Sequence, residues 1–121
     1  MPREDTWRCP PEGWLCLGLM SGTSVDGLDV ALVRVHAGRG SPLVSSPNSY
    51  EWTAQLEHTT TLAYPEALRR DLWKAMELSA VDLLRLDKRW AAWAADAVKL
   101  WLDEVNVPLA ALSVAGSHGH T

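Results

Sequence analysis

The 121-residue sequence contains no phenylalanine and only two cysteines, Cys9 and Cys16. Two cysteines are too few for the disulfide framework of a small secreted domain, and Cys16 lies in a run that predicts a buried strand. We therefore expect both thiols to be reduced. The seven tryptophans contrast with the absence of phenylalanine. Several recur at helical spacing, which favours packing in a core over stacking on a sugar.

The sequence also has no long apolar run and no basic run. No stretch approaches the roughly 20 apolar residues that span a bilayer, and the opening residues are too polar and proline-rich for a secretory signal. Eleven basic residues against 15 acidic ones give no electrostatic reason for a nucleic-acid or membrane partner. We expect a cytoplasmic protein that binds small molecules, with a length that suits one modest domain.

The most informative segment that is present runs from Gly18 to Asp29 and reads GLMSGTSVDGLD. It joins two apolar runs through a turn of small hydroxyl residues, glycines and carboxylates. Its glycines are expected to adopt positive φ and to let successive N–H groups converge on an anion. Hydroxyls of Thr23 and Ser24 would add donors, and Asp26 and Asp29 could hold magnesium beside a polyphosphate. The segment predicts a phosphate-binding turn, and a polar hairpin tip without a ligand is the alternative.

The first half of the chain predicts three strands. Residues 1–13 are polar and proline-rich, as in a flexible extension. Residues 14–20 indicate a strand buried on both faces, and residues 28–36 a second strand that forms an antiparallel hairpin with it. After a loop at residues 37–48, residues 49–62 alternate as in a half-exposed strand. The three strands would form a meander.

The second half predicts two helices and a further strand. Pro65 suits the first turn of a helix that ends near Leu78, with an apolar stripe at Leu68, Leu72 and Met76. Ser79 resembles the N-cap of a second helix that ends near Val105. Its apolar face comprises Leu83, Leu86, Trp90, Ala94, Ala97, Trp101 and Val105. Residues 109–115 then indicate a buried strand that delivers residues 116–121 at its carboxyl end, where ligands bind in open α/β sheets.

The segment at Gly18 to Asp29, together with the closing GSHGHT at residues 116–121, resembles the anhydro-N-acetylmuramic acid kinase family. The resemblance covers nearly the whole chain and departs at His120, where the family usually has glutamine. It implies an α/β fold, the amino-terminal lobe of an actin-like, hexokinase or Hsp70-type ATPase, in residues 14–121. A family member would continue well beyond Thr121. The strands and helices alone indicate only the α/β class.

The resemblance implies phosphorylation of 1,6-anhydro-N-acetylmuramic acid by ATP with Mg²⁺, while water opens the anhydro ring. The product would be N-acetylmuramic acid 6-phosphate, in the recycling of cell-wall murein, and the full-length enzyme would be a homodimer. The implied nucleotide-binding residues are Gly22, Thr23, Ser24, Val25, Asp26, Gly27, Leu28 and Asp29. Among these, Asp26 would hold the metal and Asp29 would mainly brace the turn.

The closing motif would lie beside the sugar, with Ser117, His118 and Thr121 as substrate-binding residues. Their hydroxyl and imidazole groups can hydrogen-bond to sugar hydroxyls or a carboxylate. No catalytic residue is assigned, because the resemblance implies a catalytic aspartate beyond Thr121. We therefore expect this chain to be an incomplete kinase with little or no turnover.

Two alternatives remain open at the level of sequence. His118 and His120 stand two apart in a predicted strand end, where they could face one way and bind a divalent metal, as in a metal-dependent hydrolase. Zinc needs three or four ligands, and no cysteine or carboxylate cluster is near. The second alternative is a non-catalytic lobe that binds nucleotide and associates through a surface that another lobe should cover.

Overall fold

The computed structural model describes residues 9–22, 24–39 and 50–120, and these form four strands, two α-helices and two short 3-10 helices. The longer elements in chain order are β1 (Trp14–Ser21), β2 (Gly27–Arg39), β3 (Tyr50–Ala63), α1 (Glu66–Trp73), α2 (Ala80–Glu104) and β4 (Val114–His120). The loop was predicted at residues 37–48, but residues 37–39 belong to β2, which is longer than predicted. Residues 40–48 of that loop, and residues 1–8 of the predicted extension, lie outside the described residues. Cys9 and Cys16 are both free thiols.

The four strands form one mixed sheet in the order β3-β2-β1-β4. β1 pairs antiparallel with β2, and β2 pairs antiparallel with β3, so the predicted hairpin and meander are confirmed. β4 joins the other side of β1 in parallel. A parallel neighbour requires a crossover connection, which the two helices provide. The observed architecture is α/β, as predicted.

The core fills the space between one face of the sheet and the two helices. Alternate residues of β1 and β2 point into it because the side-chain period of a strand is two. The sheet contributes Leu15, Leu17, Leu28, Val30 and Leu32, and the helices contribute Leu68, Leu72, Leu86, Ala94, Val98, Trp101 and Leu102. We call this the helix-facing side of the sheet.

The opposite side of the sheet, which we call the open face, has no covering element among the described residues. Met20 is 52% exposed there, and Trp14 stacks on Trp52 with ring centroids 5.9 Å apart. The prediction that β1 is buried on both faces is therefore wrong. A continuous apolar run indicates burial, but it does not say which element supplies the cover.

β3 is more exposed than its alternating pattern predicted. Residues 51–59 are all exposed, so neither face of this edge strand is covered by the described residues over that stretch. A bulge also interrupts its pattern: Leu32 pairs with His58, but the next residue, Val33, pairs with Leu56. The extra residue, Glu57, reverses which side later residues face. Its carboxylate accepts a 2.8 Å hydrogen bond from Arg34 Nε, and this partner lowers the pKa of Glu57.

The predicted helices are largely confirmed, with a correction at the end of the first. α1 ends at Trp73, and a 3-10 turn follows over Ala75–Glu77. Met76 consequently leaves the apolar stripe and is 98% exposed. Ser79 is the N-cap of α2, as predicted, and its side chain accepts a hydrogen bond from Asp82 N.

The last predicted strand is displaced along the chain. Residues 109–111 form a 3-10 helix, and β4 begins only at Val114. The motif at residues 116–120 is therefore part of the strand, and the strand is mostly exposed instead of buried. A short apolar run after a proline does not distinguish strand from helix. Exposure follows because β4 is the other edge of the sheet.

Candidate functional site

The turn between β1 and β2 presents polar side chains to solvent. Ser24 and Asp26 are exposed, and Val25 N donates a 3.2 Å hydrogen bond to Gly22 O, which closes the turn. Thr23 lies outside the described residues. A hydroxyl and a carboxylate at the tip of a closed turn can contact a polar ligand without any rearrangement of the core.

Positive φ occurs in this turn at a valine and at neither glycine. Val25 has φ of 51°, whereas Gly22 and Gly27 do not lie in the left-handed region. The expectation that the glycines supply positive φ is therefore wrong. Left-handed backbone at a β-branched residue is strained, and the almost complete burial of the Val25 side chain in the core holds it there.

Glycine is required at position 27 for a different, steric reason. A β-carbon at this position would lie 2.5 Å from Leu62 O on the neighbouring strand. The absent side chain allows β3 to approach the first residue of β2 closely. The following residue, Leu28, is fully buried, so a ligand at this turn could contact only its backbone.

Asp29 is held by the neighbouring strand. Its Oδ1 accepts a 2.5 Å hydrogen bond from Thr61 Oγ1. This geometry agrees with the interpretation of Asp29 as a brace for the turn, and it leaves Asp26 as the exposed carboxylate nearer the tip.

A partly buried hydrogen bond joins the ends of the two motifs. β1 and β4 run in parallel, and Ser21, the last residue of β1, pairs with His120, the last residue of β4. Ser21 Oγ lies 2.7 Å from His120 Nδ1. Tyr64 Oη donates to the same Ser21 oxygen at 2.5 Å, and Trp90 Nε1 donates to Tyr64 Oη at 2.9 Å.

This chain of four side chains is absent from the predicted site residues. Ser21 and His120 stand in the two motifs, but they are 99 positions apart and no spacing links them. Tyr64 and Trp90 carry only a weak signal, an aromatic ring with a polar tip, which commonly finds a partner when buried. The cost of placing His120 in this partly buried position lowers its pKa.

The predicted substrate-binding residues of the second motif lie on β4. His118 lines a shallow groove on the open face, together with Met20, Asp29 and Thr59. Ser117 Oγ accepts a hydrogen bond from Gly119 N at 3.2 Å. Thr121 lies outside the described residues. The structure thus brings His118 and Asp29, one from each motif, to the same groove.

Comparison with known proteins identifies the family of the chain. Residues 14–121 match the family profile described as anhydro-N-acetylmuramic acid kinase. The chain belongs to the anhydro-N-acetylmuramic acid kinase family.

Individual members of that family show the same similarity. The chain is 40% identical over 110 residues to the anhydro-N-acetylmuramic acid kinase of Chromohalobacter salexigens, covering 88% of this chain and 26% of the relative. It is 35% identical over 124 residues to the enzyme of that name from Bordetella petrii, covering 100% of this chain and 29% of the relative. A relative from Bacillus cereus strain B4264 is 37% identical over 107 residues, with 86% and 25% covered. The chain thus spans about a quarter of the length of these kinases.

The fit of a kinase cofactor can be tested on the turn itself. Mg²⁺ in such sites is usually held by one or two carboxylates and the substrate phosphates, and it keeps several waters. Asp26 offers one exposed carboxylate, and Ser24 offers a hydroxyl beside it in the same turn. The donor set therefore fits a magnesium–polyphosphate group.

The histidine pair does not form the metal site of the hydrolase alternative. Leu19 pairs with Ser117 and Ser21 with His120, so β4 has one residue more than β1 in this interval. Gly119, with φ of 74°, lies at this bulge. His118 consequently faces the open groove while His120 contacts buried Ser21. Across residues 9–22, 24–39 and 50–120, no group of three His, Cys, Asp or Glu side chains could hold a metal ion.

A membrane-spanning helix is likewise not found in the described part of the chain, where neither helix is both long and apolar enough.

Proposed function

We propose that this chain supplies the nucleotide-binding turn and part of the sugar site of an anhydro-N-acetylmuramic acid kinase. The reaction proposed is transfer of the ATP γ-phosphoryl group to 1,6-anhydro-N-acetylmuramic acid, with hydrolytic opening of the anhydro ring, to give N-acetylmuramic acid 6-phosphate. A role in murein recycling and a cytoplasmic location belong to the same proposal. The same proposal assigns residues 14–121 to the amino-terminal lobe of an actin-like, hexokinase or Hsp70-type ATPase.

One observation carries the proposal most strongly: the Ser21–His120 hydrogen bond at 2.7 Å, which holds the ends of the two family motifs together. A kinase must place its nucleotide and its acceptor side by side, because an aligned pair of reactants lowers the entropic part of the barrier. Motifs that lie at the adjacent carboxyl ends of β1 and β4 meet this requirement.

The turn after β1 is proposed to bind the phosphates. Backbone N–H groups and hydroxyls from Gly22 to Gly27 would donate to phosphate oxygens, and Asp26 would hold Mg²⁺ or its water shell. When bound, the metal neutralises charge that develops during phosphoryl transfer. Val25 and Leu28 would contribute no side chain, since both side chains are in the core, and the Val25 N–H already donates to Gly22 O to close the turn.

The groove on the open face is proposed to receive the sugar. His118 lines this groove, and its imidazole can hydrogen-bond to hydroxyls or a carboxylate. Ser117, the preceding residue of the strand, does not line the groove, so its proposed contact with the sugar would come from outside it. Thr121 follows them in sequence. The groove is lined mostly by small or apolar residues with few polar groups, as in other small-molecule sites. The resemblance that suggests these roles assigns the catalytic aspartate to a position after Thr121.

The proposal is tested by calorimetric titration of this chain with ATP, with and without Mg²⁺, and then with the anhydro sugar. We expect saturable, magnesium-dependent nucleotide binding. Asp26→Asn should weaken it about tenfold, or about 1.4 kcal/mol. Asp96→Asn, which removes an exposed carboxylate from α2, is the matched control and should bind like the unchanged chain.

The same samples should be assayed for the 6-phosphate product. We expect little or no turnover by the 121-residue chain. Robust ATP-dependent product formation would contradict the assignment of the catalytic base beyond Thr121. Absence of any nucleotide binding, or equal loss in both variants, would contradict the assignment of the turn.

A second candidate function is a non-catalytic nucleotide-binding lobe that associates through its sheet. The observation that favours it is the cluster of exposed apolar side chains on the open face: Met20, Trp52, Leu56 and Val114. Large exposed apolar patches mark interaction surfaces in many proteins. Saturable nucleotide binding without turnover, combined with concentration-dependent association, would distinguish this candidate from the complete kinase.

A further inference from the structure

The side chains of Trp90, Tyr64, Ser21 and His120, which we call the relay, link α2 to the end of β4; Tyr64 and Ser21 are buried, and Trp90 and His120 are partly buried. Each contact is a hydrogen bond between side chains, at 2.9 Å, 2.5 Å and 2.7 Å in that order. Tyr64 is further held by its ring contact with Trp93, at a centroid separation of 4.8 Å. Trp90, Tyr64 and Ser21 do not line the groove, so contact with a ligand in the groove does not explain the relay.

The chemistry of the first residue fixes the direction of the first two hydrogen bonds in the relay. An indole N–H can only donate, so Tyr64 Oη must accept from Trp90. The single phenolic proton is then the one that Tyr64 donates to Ser21. The Ser21 hydroxyl, having accepted that bond, retains one proton and one lone pair, which its contact with His120 and its further interaction share between them.

Donation of the remaining proton by Ser21 would make Nδ1 of His120 an acceptor. We propose that the relay holds His120 as the neutral tautomer protonated on Nε2, so that His120 is a fixed hydrogen-bond donor to an oxygen of the bound ligand. Trp90, Tyr64 and Ser21 are positioning residues in this scheme. The ligand part rests on the proposed function, whereas the tautomer part concerns the chain without ligand.

Two observations support this assignment. Within residues 9–22, 24–39 and 50–120, Nε2 of His120 has no hydrogen-bond partner, and the ring is only half-buried. The second nitrogen is therefore free to meet a ligand at the junction of the two motifs. Burial also lowers the pKa of His120, which favours the neutral ring that the scheme requires.

The test is nuclear magnetic resonance of the chain labelled with ¹⁵N-histidine, at about pH 8, where an ordinary imidazole is neutral. Long-range ¹H–¹⁵N correlations distinguish the two tautomers, and His120→Gln identifies the signals by their loss. We expect His120 to be wholly the Nε2–H form. A predominant Nδ1–H form would overturn the proposal.

Variants distinguish the effect of the relay on the tautomer of His120 from the tautomer preference that a histidine has without it. Tyr64→Phe removes the proton donated to Ser21 and frees the serine to accept from Nδ1–H, so the ¹⁵N shifts should move toward a tautomer mixture. Trp90→Phe should move them in the same direction, and it retains a ring if Tyr64→Phe does not fold. Trp73→Phe is the matched control, since Trp73 is an exposed tryptophan on α1. Unchanged shifts in both relay variants would overturn the scheme.

Titration with two probes tests the ligand part. Magnesium–ATP offers phosphate oxygens, and the anhydro sugar offers hydroxyl and carboxylate oxygens. A shift of Nε2 with one probe, at constant tautomer, would identify which group accepts from His120. Calorimetric binding of both probes with no movement of Nε2 would overturn the donor role while leaving the kinase proposal intact. Failure of both probes to bind would count against the proposed function and not against the tautomer.

Discussion

At the scale of single residues, two glycines of the sheet occupy opposite surroundings. A β-carbon at Gly27 would meet the Leu62 backbone oxygen at 2.5 Å, whereas one at Gly18 would have no atom within 4 Å. Because a backbone atom cannot turn aside as a flexible side chain does, Gly27→Ala should lower the free energy of unfolding by about 1–3 kcal/mol. Gly18→Ala should change it by less than about 0.5 kcal/mol.

Urea denaturation followed by tryptophan fluorescence measures both variants. The comparison controls for the residue type, since each change adds one methyl group to a strand. Equal stability of the two variants would show that β2 and β3 can separate at Gly27 without cost, and the close approach would then not explain this glycine.

The residues of the turn and His120 differ in how much of their conformation and contacts the sequence predicts. The small, hydroxyl and acidic residues of the turn were recognisable from their order alone, and the exposed Ser24 and Asp26 fit the predicted use. The positive φ of Val25 was not recognisable from the sequence. Burial of the Val25 side chain, and not its residue type, stabilises that backbone conformation. The partner of His120 depends on strand pairing between positions far apart in sequence.

At the scale of elements, the start of α2 depends on one side chain. Ser79 Oγ accepts from Asp82 N at 3.2 Å and so satisfies one of the backbone donors left free in the first turn. Ser79→Ala should lower the free energy of unfolding by about 1 kcal/mol. Ser79→Asn, which retains a capping acceptor, should remain close to the unchanged chain.

Thermal unfolding followed by circular dichroism at 222 nm would measure this difference. The result bears on the site because α2 carries Trp90, whose indole begins the relay. If Ser79→Ala and Ser79→Asn were equally destabilised, the shape of the serine side chain, and not its capping hydrogen bond, would explain why serine stabilises this position.

Element type was predictable wherever periodicity was long. The 25 residues of α2 were recognised with both ends nearly correct, as was the hairpin of β1 and β2. The 3-10 turn at Leu109–Ala111 was predicted as strand, because a few apolar residues satisfy either pattern. The bulge at Glu57 had no sequence signal, since its position depends on which residue of β2 lies opposite.

At the scale of the whole molecule, the sheet is covered on one side by helices, and its open face has no cover among the described residues. Residues 14–20 read as an apolar run because some of these side chains face the core and others, such as Met20, face outward. Composition could indicate the amount of apolar surface but not the side of the sheet on which it lies. The sequence therefore predicted the α/β class and overestimated the burial of its edges.

The open face gives the final prediction. Burial of apolar surface favours association by roughly 25 cal/mol per Å², and Leu56, which is 58% exposed, lies on this face. We expect the chain to associate as its concentration rises. Leu56→Glu should suppress association because it would place a charge in the contact. Leu84→Glu is the matched control, because Leu84 is 67% exposed but lies on α2. Sedimentation equilibrium over a range of concentrations measures the average mass, and a monomer at every concentration, or equal suppression by both variants, would show that the open face does not drive association.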